Sequence, residues 1–546
     1  MAKRYVLLLL VLLFFTTCKR KMAGNDTSNP QRVSVLTQHN DNNRSGLNDH
    51  ETVLTTNNVN EKQFGALFTL PVDDQIYAQP LVVGNLYINN GLHNVVYVAT
   101  VNNSVYAYDG DTGKLYWQNN YTAPGMRPPM NSDMTGACGG SYYDFSGNIG
   151  IVGTPVIDDA TKTIYFVARS TNGSAYVQYL HAVNIVTGNE MPGSPVKITA
   201  TYKGTGDGSV NNVITFDAQK QNQRQALTLV NGIIYITFSS HCDWGPYHGW
   251  ILGYNTSSLK QQIVYNDTPD GYAGGLWESG NGMAVDAQGN LYAISGNGSV
   301  SDTTSSADLT NLGETAMKLK PSGTTLQVMT YFTPFNYKKL NNYDLDYGSL
   351  GSLLIPNSNY FFTGGKDGNL YLLNKDDMGG YNAGFNQVQQ TIQLGPNFNE
   401  HCQAAYYKGS SNEYVYVWSE NDKLRAFPFD RSSNMLDQSK EIVSNFSGPK
   451  GQNGAILSVS SNGTQDGTGI VWAAYAASGD AEHSITMGMF AAFDANDVSK
   501  ELWDNHQNMK RDYGGYYAKF ASPTIANGHV YLPTFSNQVV VYGLLQ

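Results

Sequence analysis

NVVYVATVNNSVYAYDGDTGKLYWQ, residues 94–118, strings together an alternating apolar strand, a short turn, a second alternating strand ending at Asp109, and a polar turn. The period of two buries one face of each strand, and the turn residues join the strands as antiparallel hairpins. The same unit returns as TIYFVARSTNGSAYVQYLHAVNIVTGNEM (163–191), NYFFTGGKDGNLYLLNKDDMGGYN (359–382) and GHVYLPTFSNQVVVYGLLQ (528–546). Four further copies begin near residues 232, 289, 413 and 469, which makes eight. A four-stranded sheet of this type has two apolar faces that it cannot bury alone, so the copies are expected to stack radially as an eight-bladed all-β propeller of antiparallel blades. The last copy stops after two strands, while FGALFTLPVDDQIYAQPLVVGNLYIN (64–89) offers strands before the first full copy. Joining the two ends would remove the free sheet edges. Residues 38–546 are therefore read as one propeller domain.

Composition agrees with this. The chain has 546 residues, and its 37 Tyr and 56 Gly suit short strands and tight turns rather than helices. A formal net charge of −11, with no basic run beyond the N-terminus, excludes a nucleic-acid binder. Lys3 and Arg4 precede an apolar run, 5–15, that is too short to span a bilayer, followed by Thr16-Thr17-Cys18. Residues 1–18 read as a lipoprotein-type signal with Cys18 as the lipidated residue, and 19–37 as a flexible tether. The protein is then expected to be exported and held at a membrane by its lipid alone, in the periplasm or on the cell surface. Cys138, Cys242 and Cys402 remain; one disulfide is possible without a framework, and no C-x-x-C-H predicts attached haem.

The segment AYDGDTGKLYW (107–117) resembles the tryptophan-docking repeat of quinoprotein alcohol dehydrogenases, with Ala107, Asp109, Thr112, Gly113, Lys114 and Trp117 at the signature positions. QHNDNNRSGLN (38–48) and ETVLTTNNVNEKQFGALF (51–68) are similar to the N-terminal segment of the pyrroloquinoline quinone (PQQ) dehydrogenases, and YAQPLVVGNLYI (77–88) to the strand after it. That resemblance implies a PQQ- and Ca²⁺-dependent enzyme oxidising an alcohol or saccharide and passing electrons to a separate acceptor. It also implies site residues. HCDWGPYHGWILGYN (241–255) resembles the turn whose carboxylate binds Ca²⁺, which places Asp243 there. Trp277 falls at the floor under the quinone, and Asn297 at the amide that ligates Ca²⁺. FTPFNYKKLNNYDLDYGS (332–349) offers Asp346 as catalytic base and Ca²⁺ ligand, with Asp344 as a near neighbour, and Lys366 falls at the cation against the quinone oxygens.

The chemistry is coherent by itself: a hard cation takes oxygen ligands, an indole supplies a flat apolar surface, and an alcohol losing hydride needs a base for its hydroxyl proton. The chain also departs from the family. The vicinal cysteine pair is missing, Cys138 stands singly in GACGGSYYD, and Asp243 is one methylene shorter than the usual Glu. Other readings predict other geometries. Asp243 as a turn former would bond its own backbone, and a zinc site would gather His241, Cys242, Asp243 and His248. A non-catalytic binding or assembly lipoprotein would have its central cavity filled by side chains. A carbohydrate-active enzyme would show an open aromatic cleft. The dehydrogenase reading requires the oxygens of Asp243, Asn297 and Asp346 to converge beside the face of Trp277.

Overall fold

The computed structural model describes residues 32–301, 309–395, 398–445, 447–448 and 453–546. The signal segment, Cys18 and the tether up to residue 31 lie outside the described residues. Residues 32–37 belong to the folded body: the Val33 amide donates to the Asn527 side chain at 2.6 Å, and Val35 pairs with Val82.

Among the described residues, eight blades built on antiparallel strands follow one another around a ring. Blade 1 contains Leu81–Ile88, Gly91–Ala99, Ser104–Asp109 and Leu115–Asn120, in that spatial order. The first strands of blades 2 to 8 are Val156–Asp158, Thr228–Val230, Ala284–Val285, Leu353–Leu354, Ala405–Lys408, Ile456–Ser460 and Thr524–Ala526. First strands of neighbouring blades touch, so these strands face the axis. Blade 8 has three strands from the C-terminus and takes its fourth, Phe64–Pro71, from the other end of the chain, pairing antiparallel with Gln538–Leu544 from Phe64↔Leu544 to Pro71↔Gln538. This is the closure that the repeat pattern predicts, and it leaves the ring without a seam.

The energetics lie between blades. Each of the eight interfaces holds its own apolar cluster, from Tyr97, Ile164 and Phe166 between blades 1 and 2 to Leu70, Val96 and Val541 between blades 8 and 1. The 107–117 motif shows how the sequence builds one interface. Asp109 accepts from the Thr112 and Asp111 amides, Gly113 takes a positive φ of 73°, and the Trp117 indole N–H donates to the Ile185 carbonyl of blade 2 at 3.0 Å. A Cβ on Gly188 would lie 2.8 Å from Trp117, so the ring needs a glycine opposite it.

The axis is filled by polar chain. Residues 35–48 visit the blades in order. Val35 pairs with blade 1 and the Leu36 carbonyl accepts from Ile157 of blade 2. The Asn42 side-chain amide donates to the Leu229 carbonyl of blade 3, to which the Arg44 guanidinium also reaches through Thr228. The carbonyls of Asn42, Asn43, Ser45 and Gly46 then accept from Val285, Leu354, Tyr406 and Val459 of blades 4 to 7, and the Asn48 amide donates to Ile525 of blade 8. Arg44 is 0% exposed and has no carboxylate in an ion pair; it donates to Met283 O, Thr37 Oγ1, Gln38 O and Thr228 Oγ1. Burial therefore brings its pKa down to about 10. The 38–48 segment that resembles the quinoprotein N-terminus is thus the hub of the ring.

Candidate functional site

The strand order locates the site before any side chain is considered. Residues just before a blade's first strand, or just after its second, all emerge at one end of the ring. Asp144, Arg224, Trp277, Asp344, Asp346 and His401 precede first strands, while Cys242, Asp243, Asn297, Lys366 and Glu482 follow second strands. All of these line one cavity of ≈ 220 Å³ at that end. Asp243, Trp277, Asn297, Asp346 and Lys366, scattered over more than a hundred residues of sequence, are brought together there.

Asn297 stands at the centre of the acidic wall. Its backbone N–H donates to Asp346 Oδ1 at 2.8 Å, and its side-chain amide donates to Asp344 Oδ1 at 2.6 Å and to Asp243 Oδ2 at 3.4 Å. Its own side-chain oxygen is buried with no hydrogen-bond partner. Lys366 Nζ lies 2.7 Å from Asp346 Oδ2 and 3.3 Å from Asp344 Oδ1. Burial works against the lysine's charge, but the two carboxylates outweigh it and hold the ammonium above the ordinary lysine range. Asp243 feels the opposite balance: burial and the Asp346 charge push its carboxyl up to about 6. Three carboxylates against one ammonium leave this wall short of positive charge.

Gly296 makes the close approach possible, because a Cβ there would sit 2.3 Å from Asp346 Oδ1 and 3.2 Å from the Trp277 indole nitrogen. Asp346 is nearly buried, whereas the Asp344 side chain is 66% exposed, so two carboxylates two residues apart have different surroundings. Behind Asp346, the buried Glu314 accepts from the Tyr347 amide, and burial followed by the Asp346 charge raises its carboxyl well above the usual range.

Trp277 forms the adjoining wall. Lys366 Nζ and Arg224 Cζ each lie 5.5 Å from its ring centroid, and His401 packs beside it with centroids 5.7 Å apart. Burial, then the charges of Lys366 and Arg224, hold His401 well below the usual histidine range, so it is a neutral imidazole at pH 7. On the far wall stand Asp144, Glu482 and His483, whose Nδ1 lies 2.7 Å from Asp480. Arg224, His401 and this far wall carry no local sequence signature.

The cysteines resolve in a way the sequence left open. Cys138 pairs with Cys242 across 104 residues, with Cα atoms 5.4 Å apart, and both line the cavity. The bond ties the 121–152 connection to the turn that carries Asp243. The zinc reading is excluded by the same facts. Cys242 is consumed, the His241 nitrogens face Tyr142 OH and Arg169, and those of His248 face Thr268 and the Asp207 carbonyl. Among the described residues there is no group of three or more His, Cys, Asp or Glu already arranged to hold a metal ion. Asp243 does not bond its own backbone as a turn former would; its carboxylate accepts from the Tyr247 hydroxyl and faces Asn297.

With this geometry in place, solved structures offer a comparison. The chain superposes on the quinohemoprotein alcohol dehydrogenase of Pseudomonas putida HK5 with a TM-score of 0.59 and 12% identity, covering 94% of this chain and 80% of that one. The quinohemoprotein alcohol dehydrogenase of Comamonas testosteroni gives 0.58 and 13%, covering 93% and 80%. A europium-containing methanol dehydrogenase gives 0.54 and 12%, covering 90% and 87%. The fold is that of the quinoprotein dehydrogenases. No family model matches the sequence, and no curated protein matches it.

Proposed function

We propose that this cavity is the active site of a PQQ- and Ca²⁺-dependent dehydrogenase that oxidises an alcohol or saccharide outside the cytoplasm and passes the electrons to a separate acceptor. The observation that carries the reading is the convergence of Asp243, Asn297, Asp346 and Lys366 on one wall beside Trp277. The donor set suits a hard cation: carboxylate oxygens share the wall with the unpartnered amide oxygen of Asn297, and acidic groups outnumber basic ones in the lining. Asp243, Asn297 and Asp346 would hold Ca²⁺, Trp277 would lie against the quinone ring, and Lys366 with Arg224 would face its oxygens. Bound there, the quinone supplies the hydride acceptor and the metal polarises it.

The chain's own residues supply the rest. Asp346, held by the Asn297 N–H and the Lys366 ammonium, is a carboxylate fixed in place to take the hydroxyl proton of a substrate. Residues 35–48 fill the axis, yet a polar cavity remains at one end of the ring, which favours the dehydrogenase reading over a fully plugged, non-catalytic propeller. The Cys138–Cys242 disulfide supports export, because such bonds persist in oxidising compartments. Lipid attachment at Cys18 remains part of the same proposal. Among the described residues no helix is long and apolar enough to cross a membrane.

The test is reconstitution of the purified protein with PQQ and Ca²⁺, followed by dye-linked oxidation of alcohols and sugars. Saturable PQQ binding that requires Ca²⁺, with dye reduction lost in Asp346→Asn, is the expected result. No binding and no dye reduction would overturn the proposal.

A further inference from the structure

A second chamber of ≈ 550 Å³ adjoins the cavity and shares Asp243, Tyr247, Asn297 and Asp344 with it as a common wall. Its outer lining differs from the inner site. Tyr272 and Tyr343 are 53% and 71% exposed, and both rings line this one chamber. Between and beside them are the side-chain amides of Asn341 and Asn342 and the carboxylate of Asp207, and the lining contains no Lys or Arg. The volume lies within the range of small-molecule sites, about 300–1,000 Å³.

Both rings stand on braced backbone. Tyr343 ends the helix Tyr337–Tyr343, which is locked to the 296–298 turn because Asn341 Oδ1 accepts from Gly298 N at 2.7 Å while its Nδ2 donates to Gly298 O at 2.8 Å. The Tyr272 backbone is tied to Ser299 in both directions, its N–H donating to the hydroxyl and its carbonyl accepting from the amide. The backbone beneath both rings is therefore fixed before any ligand arrives, which lowers that part of the ordering cost of binding.

We infer that this chamber binds a neutral saccharide. Exposed phenol rings present flat apolar faces to the C–H faces of a pyranose, the Asn342 amide and the Asp207 and Asp344 carboxylates answer its hydroxyls, and the absence of cations disfavours phosphorylated or acidic ligands. Asp243 and Asp344, which line both chambers, then place carboxylates beside one edge of the sugar. This names the substrate class for the dehydrogenase proposed above, but the binding itself does not depend on a cofactor.

The experiment is calorimetric titration of the protein, without PQQ or added metal, with glucose, galactose, maltose and cellobiose, using ethanol and glucosamine as comparators. Binding of at least one neutral sugar at Kd below about 10 mM is expected, weakened about tenfold in Tyr343→Ala and in Tyr272→Ala and retained in Tyr343→Phe. Both positions are exposed, so the variants should keep the parent's melting temperature. If the enzyme is active, Tyr343→Ala should raise KM for the sugar by a larger factor than it lowers kcat. No binding of any of the four sugars, binding unaffected by both alanine variants, or preference for the glucosamine cation would overturn the inference. Sugar binding without quinone-dependent oxidation would uphold the chamber and reject only the dehydrogenase reading.

Discussion

Replacing Glu278 by Gln tests whether a buried acid beside the site keeps its proton in the folded protein. Glu278 follows Trp277, is 0% exposed, accepts from the Ile294 amide at 2.9 Å through one oxygen, and leaves the other without a partner. Burial dominates its titration and raises the pKa from 4.5 to about 8, with the Ile294 amide and the Arg44 charge opposing more weakly. The sign follows directly. Between those values the unfolded chain has released the proton and the folded chain has kept it, so raising the pH favours unfolding. Each pH unit is worth about 1.4 kcal/mol, and the full span of about 3.5 units reaches about 5 kcal/mol. Glu278→Gln keeps the shape and has no proton to lose. Its stability relative to the parent should therefore improve by about 1.4 kcal/mol per unit from pH 5 to pH 8. Urea unfolding of both proteins at several pH values measures the difference, and Glu400, also raised to about 8 by burial, cancels in the comparison. A difference that stays constant across this range would refute a protonated Glu278 in the folded state.

Other perturbations probe the remaining supports. Gly296→Ala places a methyl on Asp346 and should cut the dye-linked rate of the reconstituted protein about 100-fold while its circular dichroism is unchanged. Arg44→Met strands the Gln38 carbonyl and removes four donated hydrogen bonds at the hub; a loss of about 2–4 kcal/mol should appear in chemical unfolding. Cys138→Ser with Cys242→Ser opens a loop of 104 residues and should lower stability by about 3–5 kcal/mol. The same variant frees the turn that carries Asp243, so Ca²⁺ affinity measured by calorimetry should fall with it.

Much of this architecture is written locally. Strand alternation, Asp and Gly turns such as 109–113, and the split of one blade between the two chain ends depend on residues a few positions apart, so eight blades and their closure are legible in the sequence. The set Asp243, Trp277, Asn297, Asp346 and Lys366 is singled out by its resemblance in order along the chain to the quinoprotein pattern, and the structure lines one cavity with all five. The rest depends on distance in the chain. Nothing near Cys138 names Cys242 as its partner, nothing in QNQRQAL marks Arg224 for the face of Trp277, and nothing in the 35–48 segment shows that it touches all eight blades. Asp344 and Asp346 look alike in sequence, yet only one is buried beside Lys366. Local patterns encode which backbone hydrogen bonds a strand makes with its neighbour. Burial, field and cross-ring contact arise only when the closed ring brings remote loops to one axis, and there the tertiary structure alone decides.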